Sequence, residues 1–385
     1  MSDYLPVEVI EEILKRLPVN SLLKCRPVCK TWNSLITDPS FIWTHLQTSL
    51  SKPHTPLLLR GDNKDEYFVH SDDDDFDVLK KFRFPSQRML PPSPWFRLVG
   101  SCNGLICLCL EYGLLDFGEY KLYLWNPSIH KYITLPKPDI TFLSDTSYYQ
   151  HIGFGFDSET HDYKVLNLVT MVLDGLDGIG ETVEAYLFSL NTNSWKNITA
   201  TYSYPEYTIE GHSLSVFVNG ILHWLGYKKG NDGWFTNMVL GLDTSTERFL
   251  DITLPENLVG LCPTNLCIMK YGESSIAVLK SDSEDYGQLE VWVMKEYGEF
   301  DSWTMVLHLT DETGEAIPRV LWFRNNGEVL LEADGGELAS MDLECQLMED
   351  LGIESEEGYS VVESYVESLV LLDKGADAGG VNYAN

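Results

Sequence analysis

Residues 5–36 read LPVEVIEEILKRLPVNSLLKCRPVCKTWNSLI, and their apolar members recur with helical spacing. Pro6 presets the backbone for the start of a helix, and Pro18 stops it. Between these prolines, four apolar residues three or four positions apart define one face of an amphipathic helix: Ile10, Ile13, Leu14 and Leu17. The charged residues take the opposite face. The pattern predicts a helix whose apolar side must be covered.

Apolar residues continue at the same spacing up to the Asp38-Pro39 break, with Asn20 or Ser21 as the cap of the next helix. The stretch therefore predicts two or three short helices. A unit of roughly 45 residues is marginal as an independent core. We therefore expect the apolar surface of these helices to bind a partner protein.

The order of short motifs in this stretch resembles an F-box. The motifs occur in the same order as in that module: LP, an Ile- and Leu-containing helix, RLP, RPVCKTWNSLI and DPSFIWTHL. Through an F-box, substrate receptors dock on the Skp-type adaptor, and through it on the cullin, of SCF ubiquitin ligases. The resemblance implies that the core or adaptor-contact positions are Leu5, Pro6, Ile10, Ile13, Leu14, Leu17, Pro18, Leu22, Leu23, Val28, Trp32, Leu35 and Ile36. Which of these two roles each residue has, the sequence does not say.

Composition limits the function classes for the rest of the chain. The 385 residues include 20 Tyr, 16 Phe and 10 Trp, which predicts a sizeable folded core. No apolar run has the length of a membrane span and no secretory signal is visible, so we expect a cytoplasmic and/or nuclear protein whose eight cysteines are thiols. Cysteine and histidine spacings do not match metal sites, and no phosphate-binding or nucleophile motif occurs. The sequence predicts a non-catalytic protein without metal or cofactor.

Charge separates the N-terminal module from the remainder. Residues 1–52 contain six Lys and Arg against five Asp and Glu, whereas the remaining chain has 21 basic and 53 acidic residues. Such acidity disfavours nucleic acid and anionic membranes as partners and would attract a basic protein client. The alternative is that the acidic surface serves solubility.

From residue 57 onward, short apolar runs alternate with turn-forming clusters, which indicates an all-β region. A polar turn leading to a bulky residue recurs about every 50 residues, with Tyr132, Trp195, Phe249, Trp303 and Met348 as anchors. We expect these anchors to begin strands, and Tyr132, Trp195 and Trp303 to be buried. A glycine turn and an apolar strand precede most anchors, as in propeller blades.

Five repeat units are legible, and the chain ends can form a sixth. Pairing the C-terminal run YVESLVLL (365–372) with the N-terminal strands PLLLR and EYFVH would close the ring and leave no exposed edge. The predicted fold is mainly β: a small N-terminal all-α F-box followed by an irregular, about six-bladed β-propeller-like domain. A twisted β-sandwich is the alternative.

The β-rich region is similar to the F-box-associated domain of plant F-box proteins, a group that includes S-locus F-box proteins and receptors that control immune-receptor levels. The similarity lies in LVGSCNGLICL, LYLWNPSIHKYITLP, HIGFGFDSETHDYKV, FVNGILHWL and SYVESLVLL. Kelch repeats match less well, because their paired glycines are missing. The predicted domains are an F-box over 1–49, a linker over 50–56, the F-box-associated domain over 57–373 and a disordered tail over 374–385.

Irregular segments between strands are the candidate client-binding loops, because loops on a rigid scaffold carry recognition. These segments are 141–150, 174–181, 201–210 and 226–235, and aromatic residues in them could act as hot spots within an acidic rim: Tyr148, Tyr149, Tyr204, Tyr207, Tyr227 and Trp234. The resemblance implies a substrate receptor that recruits a protein client for ubiquitination and degradation. The alternatives are an adaptor-bound scaffold without degradation, or a propeller that binds glycans or proteins.

Overall fold

The computed structural model describes residues 6–52, 55–60, 66–85, 95–111, 120–140, 147–175, 178–202, 207–209, 214–230, 233–282, 287–310, 317–355, 358 and 360–374. Within these ranges, short N-terminal helices precede six antiparallel sheets, so the predicted mainly β, six-bladed fold class is confirmed. The chain forms two compact units, one within residues 1–135 and 361–385 and the other within 136–360. No helix in the described ranges has the length and apolar character needed to cross a bilayer.

The first unit begins with four helices: α1 (Val7–Leu14), α2 (Val19–Cys25), α3 (Lys30–Ile36) and α4 (Pro39–Leu50). The prediction of two or three helices before the Asp38-Pro39 break is confirmed by α1, α2 and α3, and α4 begins after the break. The predicted cap at Asn20 or Ser21 is wrong, because Pro18 occupies the N-cap position of α2. The carbonyl of Pro18 accepts hydrogen bonds from the backbone N–H groups of Ser21 and Leu22 at 2.9 and 3.1 Å, so Asn20 already lies in the first turn.

Two sheets complete this unit. Sheet 1 has the strand order β25 (Val362–Ser364), β1 (Leu57–Arg60), β2 (Glu66–His70) and β3 (Val78–Arg83). Sheet 2 runs in chain order through β4 (Trp95–Cys102), β5 (Leu105–Glu111), β6 (Tyr120–Asn126) and β7 (Lys131–Thr134), with a 3₁₀ turn at Pro127–Ile129. A largely aromatic core unites the two sheets, and its members include Tyr67, Phe82, Phe84, Phe96, Tyr123, Trp125 and Tyr365.

The predicted pairing of the two chain ends is confirmed, but the strand that makes it was misplaced. β25 pairs antiparallel with β1, Leu57 opposite Ser364 and Leu59 opposite Val362. The run 365–372 follows this strand and has no strand conformation. It is apolar because Leu369 and Leu371 are buried, at 0 and 1 % exposure, in irregular backbone. Apolar content alone could not distinguish this from a strand.

The second unit contains the other four sheets. Sheet 3 consists of β8 (Ser147–Asp157), β9 (Asp162–Gly175), β10 (Gly178–Ser189) and β11 (Ser194–Asn197), and sheet 4 of β12 (Thr208–Ile209), β13 (Val216–Val218), β14 (Ile221–Lys229), β15 (Phe235–Asp243) and β16 (Arg248–Thr253). A short helix, α5 (Glu256–Val259), follows. Sheet 5 consists of β17 (Leu266–Tyr271), β18 (Ser275–Asp282), β19 (Gln288–Met294) and β20 (Trp303–Thr310), and sheet 6 of β21 (Arg319–Phe323), β22 (Glu328–Glu332), β23 (Glu337–Asp342) and β24 (Met348–Glu354). Buried apolar clusters fill the spaces between successive sheets of this unit.

The five anchor residues lie at or next to the start of the fourth strand, in hydrogen-bonded order, of sheets 2 to 6, as the repeat predicts. The prediction that Tyr132, Trp195 and Trp303 are buried is wrong, because all three are half-buried. The fourth strand is the outer edge of its sheet, so one side of each ring packs and the other side meets solvent. The two indole Nε1–H groups donate to the carbonyls of Pro136 and Thr253, at 2.6 and 3.1 Å respectively.

Candidate adaptor-binding and client-binding surfaces

The predicted F-box residues divide by burial into two groups with different roles. Four form the core of the helical module, with side chains no more than 6 % exposed: Ile10, Leu14, Leu22 and Ile36. Four more are half-buried and pack around that core: Leu17, Leu23, Trp32 and Leu35. These eight hold the helices together. Leu5 lies outside the described residues.

The remaining predicted residues lie on the surface of the helices. Ile13 and Val28 are 51 and 63 % exposed, and Pro6 and Pro18 are also exposed. The sequence pattern places Ile13 on the same face as Ile10 and Leu14, but in the structure Ile13 lies on the exposed side of that face while Ile10 and Leu14 are buried. That exposed side is the first candidate site.

Two apolar residues on α1 belong to the same surface and were missed. Val7 and Val9 are 52 and 42 % exposed. Val9 and Ile13 are four residues apart, which places them next to each other on one helix face. The same spacing also links Ile10 to Leu14, so α1 carries two apolar faces. This second periodicity was the signal that could have identified Val9. We use the name F-box apolar surface for four exposed apolar residues of the helical module: Val7, Val9, Ile13 and Val28.

One buried and one exposed polar contact fix the helices that present this surface. The imidazole of His45 on α4 is 3 % exposed, and its Nε2 donates to the carbonyl of Leu17 at 2.9 Å. Burial lowers the pKa of His45, which keeps the ring neutral. The Asp38 carboxylate caps α4 by accepting from the backbone N–H of Ser40 at 2.9 Å, and hydrogen bonds from the Ser40 side chain and backbone lower the pKa of that carboxyl.

The described parts of the candidate client-binding loops lie at one end of sheets 3 and 4. At the opposite end, the Thr244 hydroxyl donates to the Phe156 carbonyl at 3.1 Å, which joins the end of β15 to the end of β8. The start of β8, the β9–β10 hairpin, β12 and the β14–β15 hairpin therefore lie at the other end of the two sheets. The topology brings together parts of all four predicted loops.

The aromatic residues at this end differ in exposure. Trp234 and Tyr149 are 70 and 53 % exposed, so their rings are available to a partner. Tyr148, Tyr207 and Tyr227 are half-buried. Tyr148 packs against the cluster of Val169, Met171 and Tyr186, and Tyr207 packs against the core between the two sheets. Tyr204 lies outside the described residues.

The β14–β15 hairpin carries two lysines in the region for which the sequence predicts an acidic rim. Lys228 and Lys229 are both exposed. The Nζ of Lys229 lies 5.6 Å from the ring centroid of Phe235, within cation–π range, and the Phe235 ring contacts Tyr227 edge-on at 5.8 Å. The described residues of this hairpin are therefore locally basic within an acidic chain.

Comparisons with known proteins agree with both parts of this architecture. A family model described as "F-box associated beta propeller domain" matches residues 67–372, and one described as "F-box-like" matches residues 2–49. The chain belongs to the F-box-associated β-propeller family. It is a plant-type F-box protein with an F-box-associated domain.

Two relatives of this F-box protein illustrate the extent of the similarity. F-box protein CPR1 of Arabidopsis thaliana is 29 % identical over 405 residues, which cover 98 % of this chain and 91 % of the relative. The F-box/kelch-repeat protein At3g23880 of the same plant is 27 % identical, with 86 % of each chain covered. Among solved structures, Hadza microbial sialidase Hz136 has a TM-score of 0.38 at 12 % identity, covering 71 % of this chain and 60 % of that one, and a score this low carries no argument.

The buried titratable groups of the F-box protein serve its packing. His223 is fully buried, its Nδ1 lies 3.1 Å from the Val216 carbonyl and its Nε2 lies 2.6 Å from the Tyr297 hydroxyl. Burial lowers the pKa of His223 to about 4 and raises the pKa of Tyr297 to about 12. Both side chains are therefore neutral at pH 7 and join sheet 4 to the β19–β20 connection. In the described ranges, no three His, Cys, Asp or Glu side chains converge as metal ligands.

Proposed function

We propose that this F-box protein is the substrate-recognition subunit of an SCF-type ubiquitin ligase. The F-box docks on the Skp-type adaptor and, through it, on the cullin, while the propeller holds a protein client for ubiquitination and proteasomal degradation. The chain contributes no reactive group, because holding the client near the loaded conjugating enzyme supplies the effective concentration that the transfer needs. We also propose a cytoplasmic and/or nuclear location.

The observation that supports adaptor docking is the F-box apolar surface. Four aliphatic side chains, three on α1 and one in the turn between α2 and α3, are 42 to 63 % exposed although the core residues of the module are already buried. Covering one such half-exposed side chain would contribute about 1 kcal/mol, so the four together would contribute about 4 kcal/mol. Exposed apolar residues gathered on one small module are typical of a protein-binding site.

Reconstitution with a purified Skp-type adaptor tests the docking. Val9→Asp and Ile13→Asp each place a charge on the F-box apolar surface and should abolish co-purification with the adaptor. Met305→Asp, a matched change at a 45 % exposed residue in sheet 5, should leave it intact. Co-purification that survives both α1 changes would refute the assignment.

The client should bind at the shared end of sheets 3 and 4, where Trp234 and Tyr149 are exposed. Proximity labelling in cells with a chain that lacks the F-box should trap clients, and Trp234→Ala should reduce their recovery. Client levels that rise on proteasome inhibition support degradation. Client levels that stay constant would support a scaffold role instead.

A further inference from the structure

We propose that residues 365–372, which we call the C-terminal clasp, complete the F-box and fix it to sheet 2, so that adaptor docking by the N-terminal module requires the C-terminal end of the domain. The clasp lies more than 300 residues from the F-box in sequence, yet both belong to the same compact unit. Its structural role stands by itself. Its effect on adaptor docking rests on the proposed function.

The apolar half of the clasp is part of the F-box core. Leu369 is 0 % exposed and belongs to the same buried cluster as Ile10, Leu14, Val19, Leu22, Ile36, Phe41 and Ile42. Val370 and Leu372 pack against that cluster, as does Ile129 of sheet 2. The four helices therefore do not close their core alone. One of its fully buried side chains comes from the other end of the chain.

The polar half of the clasp is held by sheet 2. The Asn126 side chain is fully buried, and its Nδ2 donates to the carbonyls of Ser368 and Val370 at 3.0 and 2.8 Å. Its Oδ1 accepts from the backbone N–H of Ser128 at 2.9 Å, which fixes the orientation of the amide. Irregular backbone has no ladder partners, so these side-chain bonds satisfy carbonyls that would otherwise be buried without a donor.

Further contacts tie both ends of the clasp to the same sheet. The Ser128 hydroxyl lies 2.6 Å from the hydroxyl of Tyr365, which is 2 % exposed. The Lys131 ammonium donates to the carbonyl of Leu371 at 2.7 Å. A Cβ added at Gly104, which has a φ of +80°, would lie only 2.3 Å from the Ser368 hydroxyl. A residue with a side chain at this position of the β4–β5 turn would therefore collide with the clasp.

These contacts distinguish the proposal from a chain end that merely packs on the nearest sheet. A packing tail would bury all its apolar residues in the core of sheets 1 and 2, where Tyr365 of the clasp does lie. Leu369 is instead buried among F-box residues, whereas the hydrogen bonds from Asn126 and Lys131 come from the sheet. The clasp therefore contacts the sheets through Tyr365 and these hydrogen bonds, and the F-box through Leu369. It joins them into one body.

Hydrogen–deuterium exchange on the full chain without adaptor tests the structural role. Leu369→Ala should speed amide exchange in α1, α2 and α4 by about 30-fold or more, as expected for truncation of a fully buried leucine. Leu347→Ala, at a leucine that is 72 % exposed, is the matched control and should leave exchange unchanged. Sheet 3 amides serve as an internal reference in both variants. Helix exchange within twofold of wild type in Leu369→Ala would overturn the proposal.

A second variant separates anchoring from apolar packing. Asn126→Asp keeps the shape and the contact with the Ser128 N–H but faces the carbonyls of Ser368 and Val370 with an acceptor. It should release the clasp from sheet 2 and broaden the distance distribution between spin labels at Gln47 and Leu79, both exposed in the first unit. Asn193→Asp, at an exposed turn, is the control. An unchanged distribution in Asn126→Asp would refute the anchoring role.

Adaptor binding is measured on the same proteins. Leu369→Ala should bind a Skp-type adaptor more weakly than Leu347→Ala does, although neither residue lies in residues 1–49. Equal affinities would overturn the dependence of docking on the clasp. If the wild-type chain does not bind the adaptor at all, the proposed function fails, while the exchange experiment still decides the structural role.

Discussion

The F-box contains a pair of adjacent residues that separates binding from stability. Ile13 and Leu14 are both large aliphatic residues in α1, but Ile13 is 51 % exposed and Leu14 is 1 % exposed. Sequence periodicity assigns them to one face, whereas the structure assigns Ile13 to the F-box apolar surface and Leu14 to the core. Replacing each by alanine therefore tests the division of the module into two faces.

The two substitutions should affect different quantities: Leu14→Ala the stability of the chain, and Ile13→Ala its affinity for the adaptor. Leu14→Ala leaves a cavity in a closed core and should lower the free energy of unfolding by about 2–5 kcal/mol. Ile13→Ala removes no buried contact in the free chain, and alanine favours helix, so stability should change by less than about 0.5 kcal/mol. If the adaptor covers the exposed half of Ile13, its truncation should cost about 1 kcal/mol of binding, a roughly fivefold higher Kd.

Urea unfolding, monitored by amide exchange in the helices, measures the change in the free energy of unfolding. Calorimetric titration with a Skp-type adaptor measures the change in Kd. The titration is done on the free, folded chain at a temperature well below the unfolding transition of Leu14→Ala. An Ile13→Ala protein as unstable as Leu14→Ala would refute the assigned orientation of α1. An unchanged Kd in Ile13→Ala would remove that residue from the adaptor contact.

Three further predictions concern the second unit. Burial lowers the pKa of His223 to about 4, so its contribution to stability is fully present above its unfolded pKa of about 6.5 and is lost as the pH falls toward 4. His223→Gln should therefore reduce the loss of stability between about pH 7.5 and pH 5 by about 2 kcal/mol, as measured by urea titrations at the two pH values. An unchanged loss would contradict the buried neutral ring. Trp224→Ala, at 1 % exposure, should cost about 3–5 kcal/mol of unfolding free energy, whereas Trp234→Ala, at 70 % exposure, should cost less than about 0.5 kcal/mol. Similar losses of unfolding free energy in the two variants would argue against the exposure of Trp234. A Cβ at Gly153 would lie 2.5 Å from the Trp224 ring, so Gly153→Ala should lower the melting temperature and cost about 1–3 kcal/mol, while Gly260→Ala, with no atom within 4 Å, should be close to neutral.

The β-sheet architecture was predictable because its signal is repeated. Each polar turn before an anchor residue marks the hairpin that leads into the edge strand, and five such turns, together with the predicted pairing of the chain ends, give six blades. The burial of the anchors was not predictable. A tryptophan in a repeat is as compatible with an outer strand as with a central one, and only the sheet order shows that Trp195 and Trp303 lie at an edge.

The candidate client end was predictable only as a set of loops. Loop composition identified four segments, and strand direction then placed parts of all four at one end of sheets 3 and 4. Which rings project outward depends on side-chain packing: Tyr148 is half-buried in an aromatic and aliphatic cluster, while its neighbour Tyr149 alternates to the exposed side. The exposed Lys228 and Lys229 further show that net charge does not predict the charge of a single hairpin.

The small size of the F-box predicts that its apolar residues need further cover, and the structure shows that part of this cover comes from the same chain. A helical unit of roughly 45 residues cannot bury its apolar residues alone, and one part of the missing cover is Leu369, which no local pattern connects to residues 5–36. What the clasp leaves uncovered is the F-box apolar surface, with Ile13 and Val28 still more than half exposed. The need for an external partner therefore rests on these exposed residues, since the core residues already have theirs within the chain.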